Sequence, residues 1–257
     1  MANEGTDCQR VILAQPRTGS TTLAHLLGTH PKIRCLIEPF HPKRYDGRFH
    51  RMALRQSMDA ALEFIWRRWN AIKHVSESTG WPFAFRPEMN DRIALGSGYR
   101  IVLLTRRNLL RRVVSNAICR KTMFWIGTRE QFRHRLDGVT LPALDPERVR
   151  SQIEADKAAV CARLRLFEET GVAAMHLHYE DLFREDATPQ ERLDLLNAVF
   201  VFVGLSPIDM NGYVAKCQAY FDPALYRWAS EDIYRTIPGI QEVENAVGSD
   251  ETGWLFR

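Results

Sequence analysis

Short apolar runs that end in polar turns recur along the chain, and most are followed by a segment whose apolar residues return every three or four positions. Residues 11–15, 34–37, 82–85, 100–105 and 172–178 are compact, apolar and bounded by Gly, Pro or polar residues, a pattern that predicts strands. Residues 20–28, 52–75, 109–120, 146–170 and 189–203 carry the helical period. Alternation of the two kinds of segment predicts an α/β fold with a parallel sheet and right-handed crossovers.

The helix expected over 146–170 has the clearest ends: Asp145 is placed as N-cap, Pro146 takes the first position and Gly171 follows the last. Beyond residue 205 Pro, Gly and aromatic residues mix without a period, so 206–257 is expected to pack irregularly on a single domain spanning 1–257. That length, with 45% apolar residues, is enough for a full core.

Charge narrows the partners. The 35 basic and 31 acidic side chains leave a formal charge of +4, too balanced for a nucleic-acid coat but compatible with a local basic cleft for a small anion. The five cysteines are scattered without CxxC pairs, which points to neither a disulfide framework nor a metal site; they are expected as small buried side chains. Residues 1–7 do not resemble a signal peptide and no apolar run reaches the ~20 residues of a membrane helix, so a cytoplasmic location is the expectation.

Two stretches carry the chemistry. Pro16-Arg17-Thr18-Gly19-Ser20-Thr21-Thr22 follows the first strand and opens the first helix. Gly19 permits a tight turn, the three hydroxyl residues lie beside unpaired helix N–H groups, and Arg17 adds a planar, permanent charge, so a phosphate fits here. A plain strand-helix turn with a surface arginine is the alternative. The stretch is not a Walker A loop, which would want Gly at Ala14 and Lys at Ser20, and this weighs against a kinase with a degenerate phosphate loop.

The second stretch, Arg106-Arg107-Asn108-Leu109-Leu110-Arg111-Arg112-Val113-Val114-Ser115, follows the strand at 100–105. Arg107 stands at the turn and Ser115 eight positions later, about two turns into the helix. It offers a second anion site or, read alone, a solvated basic face. A basic nucleic-acid-binding module is the non-enzymatic alternative, though no interleaved aromatics or reader motif support it.

Together the two stretches resemble the sulfotransferase superfamily, whose members use 3′-phosphoadenosine 5′-phosphosulfate (PAPS). The first resembles its 5′-phosphosulfate loop, and Arg107 with Ser115 resembles the arginine and serine of its 3′-phosphate site. Arg17, Arg-Arg-Asn-Leu-Leu-Arg-Arg, Thr29-His30-Pro31 and Tyr179-Glu180-Asp181-Leu182 are similar to the bacterial carbohydrate-type branch, which includes nodulation-factor and trehalose sulfotransferases. The resemblance runs over about residues 9 to 205 and lacks the C-terminal Arg-Lys-Gly segment of the cytosolic hormone and phenol enzymes. It implies a P-loop-like three-layer fold with a central parallel sheet flanked by helices, PAPS as sulfuryl donor without a metal, and a small-molecule or glycan hydroxyl as acceptor.

On that reading Arg17, Thr18, Gly19, Ser20, Thr21 and Thr22 hold the 5′ end of the donor, Arg107 and Ser115 its 3′-phosphate, and Arg17 also stabilises charge on the leaving group. Glu38, after the second strand, is expected on the same sheet edge as base, with burial raising its pKa. A strand-end carboxylate bonded to a neighbouring arginine is the alternative there. His41 is the rival base, since an imidazole titrates near neutrality. His50 and His74 are expected as solvated helix residues, and Arg86, at a strand end, as an acceptor contact or a surface ion pair. The acceptor's identity, the adenine-stacking residues and the oligomeric state are not legible.

Overall fold

The computed structural model describes residues 8–125, 127–222 and 231–256. Five strands, β1 Arg10–Ala14, β2 Cys35–Ile37, β3 Ala71–Val75, β4 Arg100–Thr105 and β5 Ala173–His178, form one all-parallel sheet in the order β2-β3-β1-β4-β5. Every residue of β1 is buried, as a central strand covered on both faces requires. Its side chains divide by alternation. Ile12 and Ala14 join Val102 and Leu104 on one face, while Val11 and Leu13 join Ile101 and Leu103 on the other.

Helices cover both faces. Towards the N-terminal half lie α1 Ser20–Gly28, α2 Arg48–Arg55, α3 Met58–Trp66 and α4 Glu88–Arg92. Then come α5 Leu109–Thr122, α6 Arg129–Leu136, α7 Pro146–Thr170, α8 Tyr179–Leu182 and α9 Pro189–Phe202. The C-terminal segment adds α10 Met210–Lys216, α11 Glu231–Tyr234 and α12 Ile240–Val247. Helices α1 and α9 pack on the Ile12 face, and α2, α3 and Phe167 of α7 on the Val11 face, giving three layers. A third cluster joins α5 to Val149 and Ile153 of α7 and to α11 and α12.

Local chemistry sets the ends. Asp145 caps α7 through the Glu147 N–H (3.0 Å), Pro146 leads it and Gly171 ends it at φ 64°. Thr188 and Glu191 form a capping box at the start of α9. The segment beyond 205, expected to be irregular, contains helices whose Tyr213 and Val243 are fully buried, as is Cys217 just after α10, so it contributes to the core. Cys119 and Cys217 are buried as expected, whereas Cys161 is exposed.

Two expectations fail for physical reasons. The helix expected over 52–75 is broken where Ser57 caps α3 through the Ala60 N–H (3.0 Å), and 71–75 pairs instead between β1 and β2. Lys73 and His74 inside that strand disguised it. Residues 82–85 form no strand: Phe83 is buried, but Phe85 is fully exposed and Arg86 beside it pairs on the surface with Glu88 (3.5 Å).

The strand order reverses about β1, whose turn leads to α1 on one face while the β4 turn leads to α5 against α7. In an open parallel sheet the crevice beyond the strand C-termini at such a point is where ligands bind. Both sequence motifs begin there.

Candidate active site

The turn after β1 is shaped by Gly19, which caps α1 in the left-handed region at φ 78°. A Cβ at this position would lie 2.6 Å from Cε2 of Phe183 and 3.0 Å from Cδ2 of Tyr179, so only glycine fits. No side chain caps α1 and no acidic residue lies in its first turn, leaving the N–H groups and hydroxyls of Ser20, Thr21 and Thr22 at a positive helix end. Thr18 is fully buried and donates to the carbonyl of Gln15 (2.8 Å), so its side chain fixes the turn.

Arg17 connects the two motifs. Its Nε donates to Ser115 Oγ at 3.0 Å and its Nη1 to the carbonyl of Trp125 at 2.9 Å. Ser115 is buried on the face of α5 that looks at this turn. Arg106, one residue before the motif arginine, donates to the Arg17 carbonyl (3.4 Å) and lies over the Tyr179 ring at 4.4 Å.

At the second motif the backbone is already satisfied. Glu180 accepts from the N–H groups of Arg107 (2.9 Å) and Asn108 (3.0 Å), and the Asn108 side chain caps α5 through the Arg111 N–H (2.8 Å). A carboxylate therefore stands where the sequence suggested a helix-end anion site, and only side chains remain there for a phosphate. Arg107 itself forms an exposed bidentate pair with Asp181 (2.7 and 3.0 Å), which, against partial burial, holds the Asp181 carboxyl below its usual range. Exposed pairs of this kind are weak and exchangeable.

Glu38 emerges at the end of β2 on the same edge, with its backbone at φ 52°. Arg17 is likewise left-handed, at φ 68°. Backbone strain at non-glycine residues of this kind costs on the order of 1–3 kcal/mol and collects at functional sites. The Glu38 carboxylate pairs with Lys73 Nζ and with Arg44 Nε (3.3 Å). Burial pushes this carboxyl up, but the Lys73 ammonium and Arg44 outweigh it and hold the pKa below the usual value. The expected upward shift is thus reversed, because the neighbours are cations and the alternative of an arginine-bonded carboxylate is realised in part.

Lys73 is the residue that the sequence reading missed. It is 2% exposed, sits in β3, and bonds both Glu38 and Thr21 Oγ1 (3.1 Å), joining the carboxylate to the phosphate-type turn. Burial lowers its pKa, partly offset by Glu38. A lysine within an apolar strand run was the available signal.

His41 lies beside Glu38, its ring edge-on to Trp81 at 5.2 Å. Its Nδ1 accepts from the Lys43 N–H (3.0 Å), which assigns the proton of the neutral ring to Nε2, and burial lowers its pKa. His74 is not a solvated helix residue: it is buried in β3, bonded to Asn90 (2.9 Å), with its pKa pushed down to about 4 by burial. His50, on α2, stacks on Phe83 at 5.1 Å. Among the described residues no helix is long and apolar enough to cross a membrane.

No protein-family model matches the chain. Over 122 residues it is 35% identical to Nodulation protein H of Rhizobium tropici, an alignment covering 45% of this chain and 48% of that protein. The chain therefore spans about half the length of the curated relative it matches. Among solved structures, a mouse sulfotransferase complexed with PAP aligns at TM-score 0.42 and 12% identity over 84% of this chain and 65% of that one. The sulfotransferase domain of the Synechococcus PCC 7002 olefin synthase aligns at TM-score 0.42 and 13% identity over 97% and 91%. The α/β chain with its five parallel strands is thus similar, over about half of its length, to Nodulation protein H.

Proposed function

We propose that the chain is a sulfotransferase that moves a sulfuryl group from PAPS to a hydroxyl of a sugar, glycolipid or other small natural product. The observation that carries this reading is the 3.0 Å bond from Arg17 to Ser115, which joins a side chain of the first motif to one of the second. The partial alignment with Nodulation protein H supports it.

The residues fit a nucleotide with phosphates at both ends. The uncapped N-terminus of α1 and the hydroxyls of Ser20, Thr21 and Thr22 would hold its 5′ end, and Arg107, exchanging Asp181 for phosphate, would hold the 3′-phosphate with Ser115. When bound, the nucleotide supplies an activated sulfuryl group on its 5′-phosphate. Arg17 stabilises the negative charge that gathers on the leaving phosphate. Glu38, ionised at neutral pH, accepts the acceptor's proton as its oxygen attacks. Lys73 holds Glu38 and Thr21 in register; as it turns toward phosphate charge, the carboxylate becomes the stronger base. His41, neutral with its Nδ1 engaged by the Lys43 N–H, is the lesser candidate base.

The test is turnover: labelled PAPS with a panel of sugars and glycolipids should yield 3′-phosphoadenosine 5′-phosphate and a sulfated product, with at least a hundredfold loss in Glu38→Gln. Binding of ATP with magnesium and none of the adenosine bisphosphate would contradict the reading.

A further inference from the structure

Two histidines at the end of β5, His176 and His178, have no role in the scheme above, yet they share one hydroxyl beside the Arg107 turn. Thr105, the last residue of β4 and the register partner of His178, places its Oγ1 2.8 Å from His176 Nε2 and 2.9 Å from His178 Nδ1. The ring centroids are 4.5 Å apart. A hydroxyl has a single proton, so it donates to one ring and accepts from the N–H of the other. The Leu177 carbonyl, 3.5 Å from the same Oγ1, is a further partner in reach.

That arrangement has room for one more proton. When the ring that accepts from Thr105 is protonated, the hydroxyl turns to the Leu177 carbonyl and accepts from both rings, so every contact survives. A second added proton would put two charged rings side by side, so the pair titrates as a unit that takes up one. His176 is exposed and borders a cavity of about 200 Å³ whose wall includes Glu168 of α7, which gives solvent protons access. With Arg107 paired to Asp181, the charge balance keeps the extra proton off. Burial lowers the pKa of both rings and Arg107 adds to this at each, as does the His178 ring at His176; Asp181 opposes it, joined by Glu180 at His178.

Arg107 links this pair to the donor site. It stands two residues after Thr105 and holds Asp181 bidentately (2.7 and 3.0 Å), and Asp181 lies in the first turn of α8, whose N-cap is His178. Once Arg107 turns to a phosphate, its charge is matched by the phosphate, and the Asp181 carboxylate is left without its cation at the cap that His178 forms. Both changes favour an imidazolium. We propose that capture of the nucleotide's 3′-phosphate by Arg107 is coupled to uptake of a proton by the His176–Thr105–His178 cluster, which replaces Arg107 as the counter-charge to Asp181. The proposal rests on the donor reading given above and adds to it a proton that enters with the nucleotide. Because the cluster then binds its proton more tightly in the complex, lower pH strengthens its contribution to affinity.

The experiment is calorimetric titration of 3′-phosphoadenosine 5′-phosphate into the full chain at pH 7 in two buffers of unlike ionisation enthalpy, PIPES and ACES, which counts the protons taken up per nucleotide bound. Wild type is compared with the double variant His176→Asn/His178→Asn, verified as folded by its Tm; protonation of the nucleotide itself is common to both and cancels. The expected result is about half a proton more per nucleotide in wild type, since a group that titrates near neutrality changes only part of its occupancy. Equal uptake would overturn this inference and leave the donor reading standing; a wild-type chain that binds no bisphosphate would overturn the donor reading itself. As a second readout in wild type alone, the ring resonances of His176 and His178 are followed against pH with and without saturating nucleotide, and their midpoint should move to higher pH. A midpoint that stays in place would overturn the inference whether or not the double variant folds.

Discussion

Arg17, in the turn after β1, donates its Nε to the Oγ of Ser115, two turns into α5, at 3.0 Å. Two stretches about ninety residues apart in the chain thereby meet, and the contact is side chain to side chain, so it can be removed without touching either backbone. Ser115→Ala should fold normally and bind 3′-phosphoadenosine 5′-phosphate about tenfold more weakly. Arg17→Ala should in addition lower kcat by about a hundredfold or more, because the charge on the leaving phosphate loses its donor. Nucleotide titrations with steady-state kinetics separate the two effects.

The Lys73 ammonium favours the ionised form of Glu38, and with Glu38 as the proposed base this would set the acid limb of the rate profile. With the carboxyl pKa depressed, activity is expected to persist into mildly acidic solution and to fall only as pH drops through that lowered value. Lys73→Met removes the attraction and leaves burial, so the acid limb of kcat/KM should move to higher pH. A limb that stays in place in this variant would show that Glu38 is not the group titrating.

Gly19→Ala tests the shape of the turn. The left-handed φ of 78° and a Cβ only 2.6 Å from Phe183 predict a loss of about 1–3 kcal/mol in denaturant unfolding, with nucleotide binding lost alongside.

Much of this site was legible because its parts are local. The apolar run before Arg17, the glycine in the turn and the Asp145, Pro146 and Gly171 punctuation of α7 each depend on neighbours in sequence, and each lies where its pattern placed it. What was not legible depends on partners far along the chain. β3 reads as the end of an amphipathic helix until Lys73 is seen to face Thr21 and Glu38. The pKa of Glu38 reversed direction for the same reason, since a desolvated carboxylate beside a buried ammonium is not a desolvated carboxylate alone. The α5 N-terminus looked open to an anion, but Glu180, more than seventy residues later, closes it.

Beneath the site Arg112 and Asp156 form a pair in which both side chains are 2% exposed. Asp156 also accepts from Gln152 (3.0 Å), and its carbonyl accepts from Gln15 (3.2 Å), tying α7 to the end of β1. Asp156→Ala leaves a buried guanidinium without its counter-charge and should cost about 3–5 kcal/mol in chemical unfolding. The double variant Arg112→Met/Asp156→Leu should recover much of that loss, since apolar replacements of a buried pair are often neutral.

The claim that one doubly phosphorylated nucleotide spans the Arg17 and Arg107 turns is tested by calorimetric titration of 3′-phosphoadenosine 5′-phosphate into wild type, Arg17→Ala and Arg107→Ala, each verified as folded by its Tm. The expected result is one nucleotide per chain, bound at least tenfold more weakly in both variants. Wild-type affinity retained in either folded variant would contradict it.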